Sequence, residues 1–394
     1  MNSLVKHGSI GLSKNKKYLE HEDGTPFFWL ADTWWYGMTG RSKWEDFKGL
    51  VADRKKKGFN VIQTVVGVPP EIDINSSHAE NSGGLPFSQQ KEINLKYFSE
   101  VDRKIKYLVD NGFVPCIFAA WGHHIDILGV DLIKKWWGEV VKRYAKYPVV
   151  WCLTGEADIF PPSYSSQDSL VKKVLSYFPN HLKQLLLSFR VLARILAKRN
   201  LRPAEGGTRF LSRLHSFEMT PTVGLKLINR LKKWDEVARY IKKIDKYKRL
   251  LTVHIHSRTT AAELFGNPSW LDIDSIQSGH SKDSLNFMTA AIRKAAKNKR
   301  PIINLEPWYE GILGNFGEKE QLKAFWACIK AGAAGHSYGA HGIWQMATYK
   351  DNFMGHWGRS DWRKAINYKG AEAIRKAKIK LTKNWPIIMK SDLV

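Results

Sequence analysis

Two glutamates, each at the end of an apolar run, are the residues best placed to do chemistry. Val149-Val150-Trp151-Cys152-Leu153 follows Pro148 and gives way to Thr154, Gly155, Glu156, Ala157 and Asp158. Pro301-Ile302-Ile303-Asn304-Leu305 ends in Glu306, with Trp308, Tyr309 and Glu310 just beyond. Such runs read as strands buried on both faces, as parallel strands are. A carboxylate at the buried end of a strand is costly unless something uses it. Two carboxyl groups, one protonated and one ionised, are what cleavage of a glycosidic bond needs. Glu156 is therefore read as the proton donor and Glu306 as its ionised partner, a nucleophile if the two lie about 5–5.5 Å apart. Aromatic walls and the second carboxylate would raise the pKa of Glu156 toward working pH. Asp158 is a sugar-hydroxyl contact or the anchor of the loop that follows.

Holding two such strand ends opposite one another is the task of the remaining chain. Apolar runs recur at 27–31, 60–67, 114–120, 250–256, 271–279 and 335–344, with helical patterns at 42–58, 94–112, 130–147, 234–246, 285–298, 318–331 and 361–383. Ser42 and Glu45 have the spacing of a capping box. The segment before residue 27 reads as a lead-in with a short hairpin near 17–26. Eight strands with intervening helices predict an α/β fold, a (β/α)8 TIM barrel whose site lies at the C-terminal strand ends. Those ends carry Asp32, Gln63, Trp121, His123, His124, His254, His256, Gln277, His280, Tyr309, Glu310, His336, Tyr338, His341 and Trp344 beside the two glutamates and Asp158. All are expected to bind substrate.

One segment breaks the rhythm. Residues 159–233 hold 14 Lys and Arg against 3 Asp and Glu, a net +11 of the chain's +25. The chain 1–394 thus reads as one catalytic barrel with a basic, largely helical insertion at 159–233. Within it, 181–200 patterns as a helix with Arg190, Arg194 and Lys198 on one stripe. Its apolar side would pack on the barrel, or the helix would lie on an anionic membrane or a lipid-linked glycan. The charge suits an anionic partner and says nothing about fold. Glycine-rich phosphate loops, zinc-finger spacings and RRM signatures are missing, so neither specific nucleic-acid binding nor a cofactor is expected. Three cysteines without CxxC imply reduced core residues. The N-terminus has no apolar signal-peptide core and no run is long enough to span a bilayer, which makes a cytoplasmic, or peripherally membrane-associated, protein the expectation.

Six motifs occur in order: DGTPFFWLADTWW, KKGFNVIQTVV, LLTVHIH, DIDSIQSGH, PIINLEPWYEG and AGAAGHSYGAHGIWQ. Together they resemble the apiosidase-like glycoside hydrolases, family 140 and relatives in clan A, over about residues 17–158 and 234–375. The resemblance implies a barrel and a retaining, exo-acting glycosidase of polysaccharide side chains, with acid/base at Glu156 and nucleophile at Glu306. The chain departs from the pattern in having Glu156 where that family has Asp after Gly, and in lacking Asn before the acid/base. Two alternatives follow from the residues: a transglycosidase on an anionic or lipid-linked glycan, and a metal-dependent hydrolase using the histidine cluster.

Overall fold

The structure, a computed structural model, describes residues 6–159, 221–351 and 353–382. A small antiparallel sheet comes first, formed by β1 (Ile10–Leu12), β2 (Leu19–His21) and β3 (Pro26–Phe27). Eight parallel strands follow: β4 (Trp29–Trp34), β5 (Val61–Val65), β6 (Val114–Phe118), β7 (Val150–Cys152), β8 (Leu251–Thr252), β9 (Asp274–Gln277), β10 (Ile302–Glu306) and β11 (Gly335–Tyr338). Six form one ladder in the order β11-β4-β5-β6-β7-β8, and β10 pairs with β9. Backbone bonds stitch the two sets together. At one seam the Asp272 N–H donates to Leu251 O at 2.9 Å; at the other the Ala334 N–H donates to Ile302 O at 2.9 Å and the Glu310 N–H to Gly339 O at 2.8 Å. The sheet thereby closes into the (β/α)8 barrel, with no exposed edge.

Around it run α1 (Trp44–Lys56), α2 (Phe98–Asp110), α3 (His124–Tyr144), α4 (Pro221–Ile244), α5 (Ala261–Leu264), α6 (Ser284–Ala295), α7 (Glu318–Lys330), α8 (Trp362–Ala365) and α9 (Lys369–Thr382). In α2 four residues of the stripe expected from the apolar spacing, Phe98, Val101, Ile105 and Leu108, form the buried face, whereas the fifth, Leu95, lies before the helix and is exposed. Every residue of β4, β5 and β6 is buried, as runs lying between a barrel interior and a helix layer must be. Trp29, Trp34, Trp136, Trp137, Trp151 and Trp234 are wholly inside, so six of the sixteen tryptophans are spent on packing.

Several boundaries differ from expectation for identifiable reasons. Ser42 does not cap α1: its N–H is held by Thr39 O, its carbonyl accepts the buried Lys104 Nζ at 2.7 Å, and its hydroxyl has no partner. Lys43 precedes the helix without a side-chain cap. Helix α3 begins earlier than the pattern suggests, at His124, and is broken at Gly129, whose φ of 79° only glycine adopts readily. The predicted helix 234–246 is the C-terminal part of α4, which starts at Pro221, so the boundary drawn at 233 falls inside one helix. The rest of the basic insertion, including the predicted helix 181–200, lies outside the described residues. Among those described, no helix is long and apolar enough to cross a membrane.

The strand alternation also buries charge. Thr33 of β4 and Ser337 of β11 face the interior, where the Gln63 Nε2 donates to Thr33 Oγ1 at 2.9 Å and to Leu305 O at 3.0 Å, and the Ser337 hydroxyl donates to Gln63 Oε1 at 3.1 Å. Their neighbour Asp32 therefore faces the helix layer. There it accepts from Arg54 Nε of α1 at 2.5 Å and from Trp34 Nε1 at 2.7 Å, both charged groups being fully buried. Removing one partner strands the other charge in the core. Arg54→Met is expected to cost about 3–5 kcal/mol, read as a lower urea midpoint, and Asp32→Leu added to it should recover part of the loss.

Candidate active site

The two glutamates meet at the C-terminal ends of β7 and β10. Gln277, the last residue of β9, donates from its Nε2 to Glu156 Oε1 at 3.0 Å and to Glu306 Oε1 at 3.1 Å. Both oxygens accept from one nitrogen, so they lie no more than about 6 Å apart. Were each oxygen in line with one of the two amide hydrogens, spread by roughly 120°, the separation would be about 5 Å.

Glu306 reaches this position through a break in strand alternation. Asn304 lies on the helix side of β10, donating to Ser278 Oγ at 2.9 Å and meeting Cys328 Sγ of α7 at 4.0 Å. Two residues on, Glu306 would face the same way. In the pairing with β9, however, Asn304 stands opposite Ile276 and Glu306 opposite Gln277, so Leu305 is a bulge. One extra residue turns the next side chain to the other face, and bulges commonly re-aim a side chain in this way. Glu156 is also set by unusual backbone. Its φ is 41°, in the left-handed region that non-glycine residues avoid, at a cost of order 1–3 kcal/mol.

Aromatic walls need clearance from glycine. A Cβ on Gly155 would come within 2.2 Å of the Trp121 ring, and one on Gly339 within 2.2 Å of the Tyr309 ring. So admitted, Trp121 donates from Nε1 to Glu156 Oε2 at 2.8 Å, and the Tyr309 hydroxyl donates to Glu306 Oε2 at 2.9 Å. His280 Nε2 lies 3.2 Å from Glu306 Oε1 and His254 Nε2 3.6 Å from Oε2. In each histidine the other nitrogen faces a backbone N–H, that of Tyr309 at 3.3 Å for His280 and that of Glu156 at 3.2 Å for His254.

These environments push the two acids apart. Burial, reinforced by the Glu306 charge, lifts Glu156 to about 7, with His256, Trp121 and Gln277 pulling the other way. Burial pushes Glu306 up as well, but His280, His254 and Tyr309 together outweigh it and hold that carboxyl below its ordinary value.

Other candidates divide by strand parity and by prior engagement. His256 is exposed and near enough for its charge to act on Glu156. Trp344 is buried with its ring centroid 6.3 Å from that of Tyr309. His123 and His124 stack edge-on at 4.4 Å at the start of α3, and His124 Nδ1 accepts the Trp121 N–H at 3.1 Å. His341 has both ring nitrogens engaged, with Gly358 O and with Gln345 Nε2. Six residues expected to bind substrate are occupied elsewhere. Asp32 pairs with Arg54, and Gln63 is spent within the barrel. Asp158 accepts the N–H groups of His256 and Ser257 at 2.6 and 2.9 Å, anchoring the turn after β8. Glu310 accepts from the Tyr338 hydroxyl at 2.6 Å and from the Gly370 N–H at 2.9 Å, tying α9 to the barrel. His336 lies against Phe325 of α7, and burial pulls its pKa down to about 3. Tyr338 shares that outward face of β11.

Two contributors escaped the sequence reading. Trp35 packs edge-on against Trp121 at 5.4 Å and against Phe118 at 4.8 Å, completing the wall beside the glutamates; its place right after β4 was the available signal. Trp357 lies 6.1 Å from His280 and donates to Glu71 Oε1 at 2.9 Å, joining two loops at the rim. Only the fold brings residues 71, 280 and 357 together. Among the described residues no three His, Cys, Asp or Glu side chains are grouped to hold a metal.

A parallel barrel with paired, oppositely tuned carboxyl groups at the C-terminal strand ends is the architecture of barrel glycoside hydrolases. Residues 13–387 match the family described as Apiosidase-like, catalytic domain. The chain belongs to that family and is a glycosidase acting on a carbohydrate substrate. Solved structures similar in fold include a glycoside hydrolase at 21% identity and TM-score 0.64, covering 96% of this chain and 75% of its own. A glycoside hydrolase family 5 from Bacteroides vulgatus ATCC 8482 also has 21% identity and TM-score 0.64, covering 96% and 71%. The exo-beta-1,4-mannosidase Op5Man5 from Opitutaceae bacterium strain TAV5 has 12% identity and TM-score 0.58, covering 95% and 63%. A search of curated proteins finds no match.

The raised carboxyl has a consequence for stability. Glu156 binds its proton more tightly in the folded chain than at its ordinary value of 4.5, so its contribution is full below that pH and is lost as pH rises toward about 7. Glu156→Gln, neutral throughout, should therefore gain urea midpoint relative to wild type across this window and show no such gain below it.

Proposed function

We propose that the protein is a retaining glycoside hydrolase that cleaves a glycosidic bond of a polysaccharide or glycan side chain, with Glu156 as acid/base and Glu306 as nucleophile. The observation that carries this reading is the shared amide of Gln277, 3.0 and 3.1 Å from the two carboxylates. A shared donor keeps the two oxygens within about 6 Å of each other, which supports the roughly 5–5.5 Å of a retaining pair over the wider spacing that an inverting enzyme needs for water.

The roles follow from the electrostatics. Glu306, surrounded by N–H and O–H donors, is ionised and attacks the anomeric carbon. Glu156, protonated near neutrality, gives its proton to the departing oxygen. Forming the glycosyl ester cancels the charge of Glu306, and with it one cause of the raised Glu156 pKa. Glu156 then ionises more readily and draws a proton from the water that releases the sugar.

Glu306→Gln should abolish turnover of any aryl glycoside the wild type cleaves. Glu156→Gln should slow substrates with poor leaving groups by about 10²-fold or more, spare activated ones, and be rescued by azide to give a glycosyl azide of retained configuration. For the wild type, kcat/KM should fall above about pH 7 as Glu156 ionises, and fall on the acid side only below the ordinary glutamate range as Glu306 is protonated. Full activity in both variants, or an inverted product, would sink the assignment.

A further inference from the structure

His254 helps to keep Glu306 ionised, but its second contact, with the backbone of Glu156, is used by neither step above. It is fully buried after β8, within an aromatic cage of Trp35, Phe118 and Trp121 with ring centroids 5.9, 5.9 and 6.0 Å away. Its Nδ1 faces the Glu156 N–H at 3.2 Å. An N–H can only donate, so Nδ1 must carry a lone pair and the ring proton must be on Nε2. That Nε2 has no hydrogen-bond partner and lies 3.6 Å from Glu306 Oε2. Leaving a buried N–H short of a bond costs about 1–3 kcal/mol, and the left-handed backbone of Glu156 adds strain of its own. Neither expense helps folding. Both fall on the one ring that joins the backbone of one glutamate to the carboxylate of the other.

We infer that His254 is a positioning residue: the neutral ring, proton on Nε2, holds the left-handed backbone of Glu156 through Nδ1 and braces it against the Glu306 carboxylate. The inference rests on Glu156 being the acid/base. Only the neutral Nε2–H form can do this. An imidazolium, or the opposite tautomer, would set Nδ1–H against the Glu156 N–H, donor against donor. The ionisable groups whose charge acts on the ring are Glu306, Asp158 and His256; the cage of Trp35, Phe118 and Trp121 contributes none. Side-chain replacements separate the two contacts. Asparagine presents its amide near the Nδ1 position and keeps an acceptor for the Glu156 N–H, whereas glutamine reaches the Nε2 position and keeps only the contact with Glu306.

The first test needs no substrate. Long-range proton–nitrogen NMR on histidine-labelled wild type, assigned with His254→Asn, should show His254 as the Nε2–H tautomer near neutral pH. The opposite tautomer or a doubly protonated ring overturns the inference. The second test uses 2,4-dinitrophenyl and 4-methoxyphenyl glycosides of the sugar that wild type cleaves best. His254→Ala should lose about 10²-fold in kcat/KM on the methoxyphenyl substrate and only a few-fold on the dinitrophenyl one. His254→Asn should recover most of that loss and His254→Gln little. A merely structural residue would instead lower both substrates equally, without selective rescue by asparagine, and that result overturns the proposal. If Glu156→Gln itself shows no dependence on leaving group, the acid/base reading falls first and this inference with it.

Discussion

Two carboxyl groups that share one amide nitrogen in a buried site resist being ionised together, and the rest of the structure depends on how that conflict is resolved. In water two such charges would barely notice each other at this distance; inside the barrel the same pair interacts strongly. Gln277 holds them together, and the surroundings then divide the roles. Glu156 receives two hydrogen bonds and an apolar wall, so burial dominates and the proton stays. Glu306 receives Gln277, Tyr309 and His280, with His254 close by, so the donors dominate and the proton leaves. Identical side chains thus hold opposite protonation states, the difference on which the proposed roles of acid and nucleophile rest.

Reaching that arrangement requires local departures from regular structure. Without the bulge at Leu305, Glu306 would take the helix-facing side with Asn304; without its left-handed φ, Glu156 would continue the line of β7. Gly155 and Gly339 leave room for two aromatic rings to lie flat against backbone. Such irregularities persist because the surroundings over-determine them: a closed barrel, a polar layer of Thr33, Gln63 and Ser337, and the buried Asp32–Arg54 pair just outside it.

Much of this was legible from residue order. Apolar runs ending in Glu156 and Glu306 marked the pair, and strand-helix alternation marked the barrel, because burial on both faces leaves an uninterrupted hydrophobic signature. Strand parity at the mouth was harder to read. His336, Tyr338 and Asp32 sit at the right height but on the wrong face, since residues one step apart point to opposite sides and a run hydrophobic throughout gives no cue as to which side is inward. Asp158 and Glu310 stand beside the glutamates in sequence, yet bind backbone amides of the turn after β8 and of α9, contacts between segments remote along the chain.

Composition and order by themselves determined the class of fold, the two acids and the concentration of positive charge in 159–233, because these depend on period, residue type and count. Tertiary structure alone decided that Gln277 would bridge the acids, that histidines from two different strands would surround Glu306, and that Trp357 would reach the rim beside His280. Those outcomes rest on barrel closure and on one bulged residue, which turn separations of more than a hundred positions in the chain, as between Gln277 and Glu156, into a single hydrogen bond.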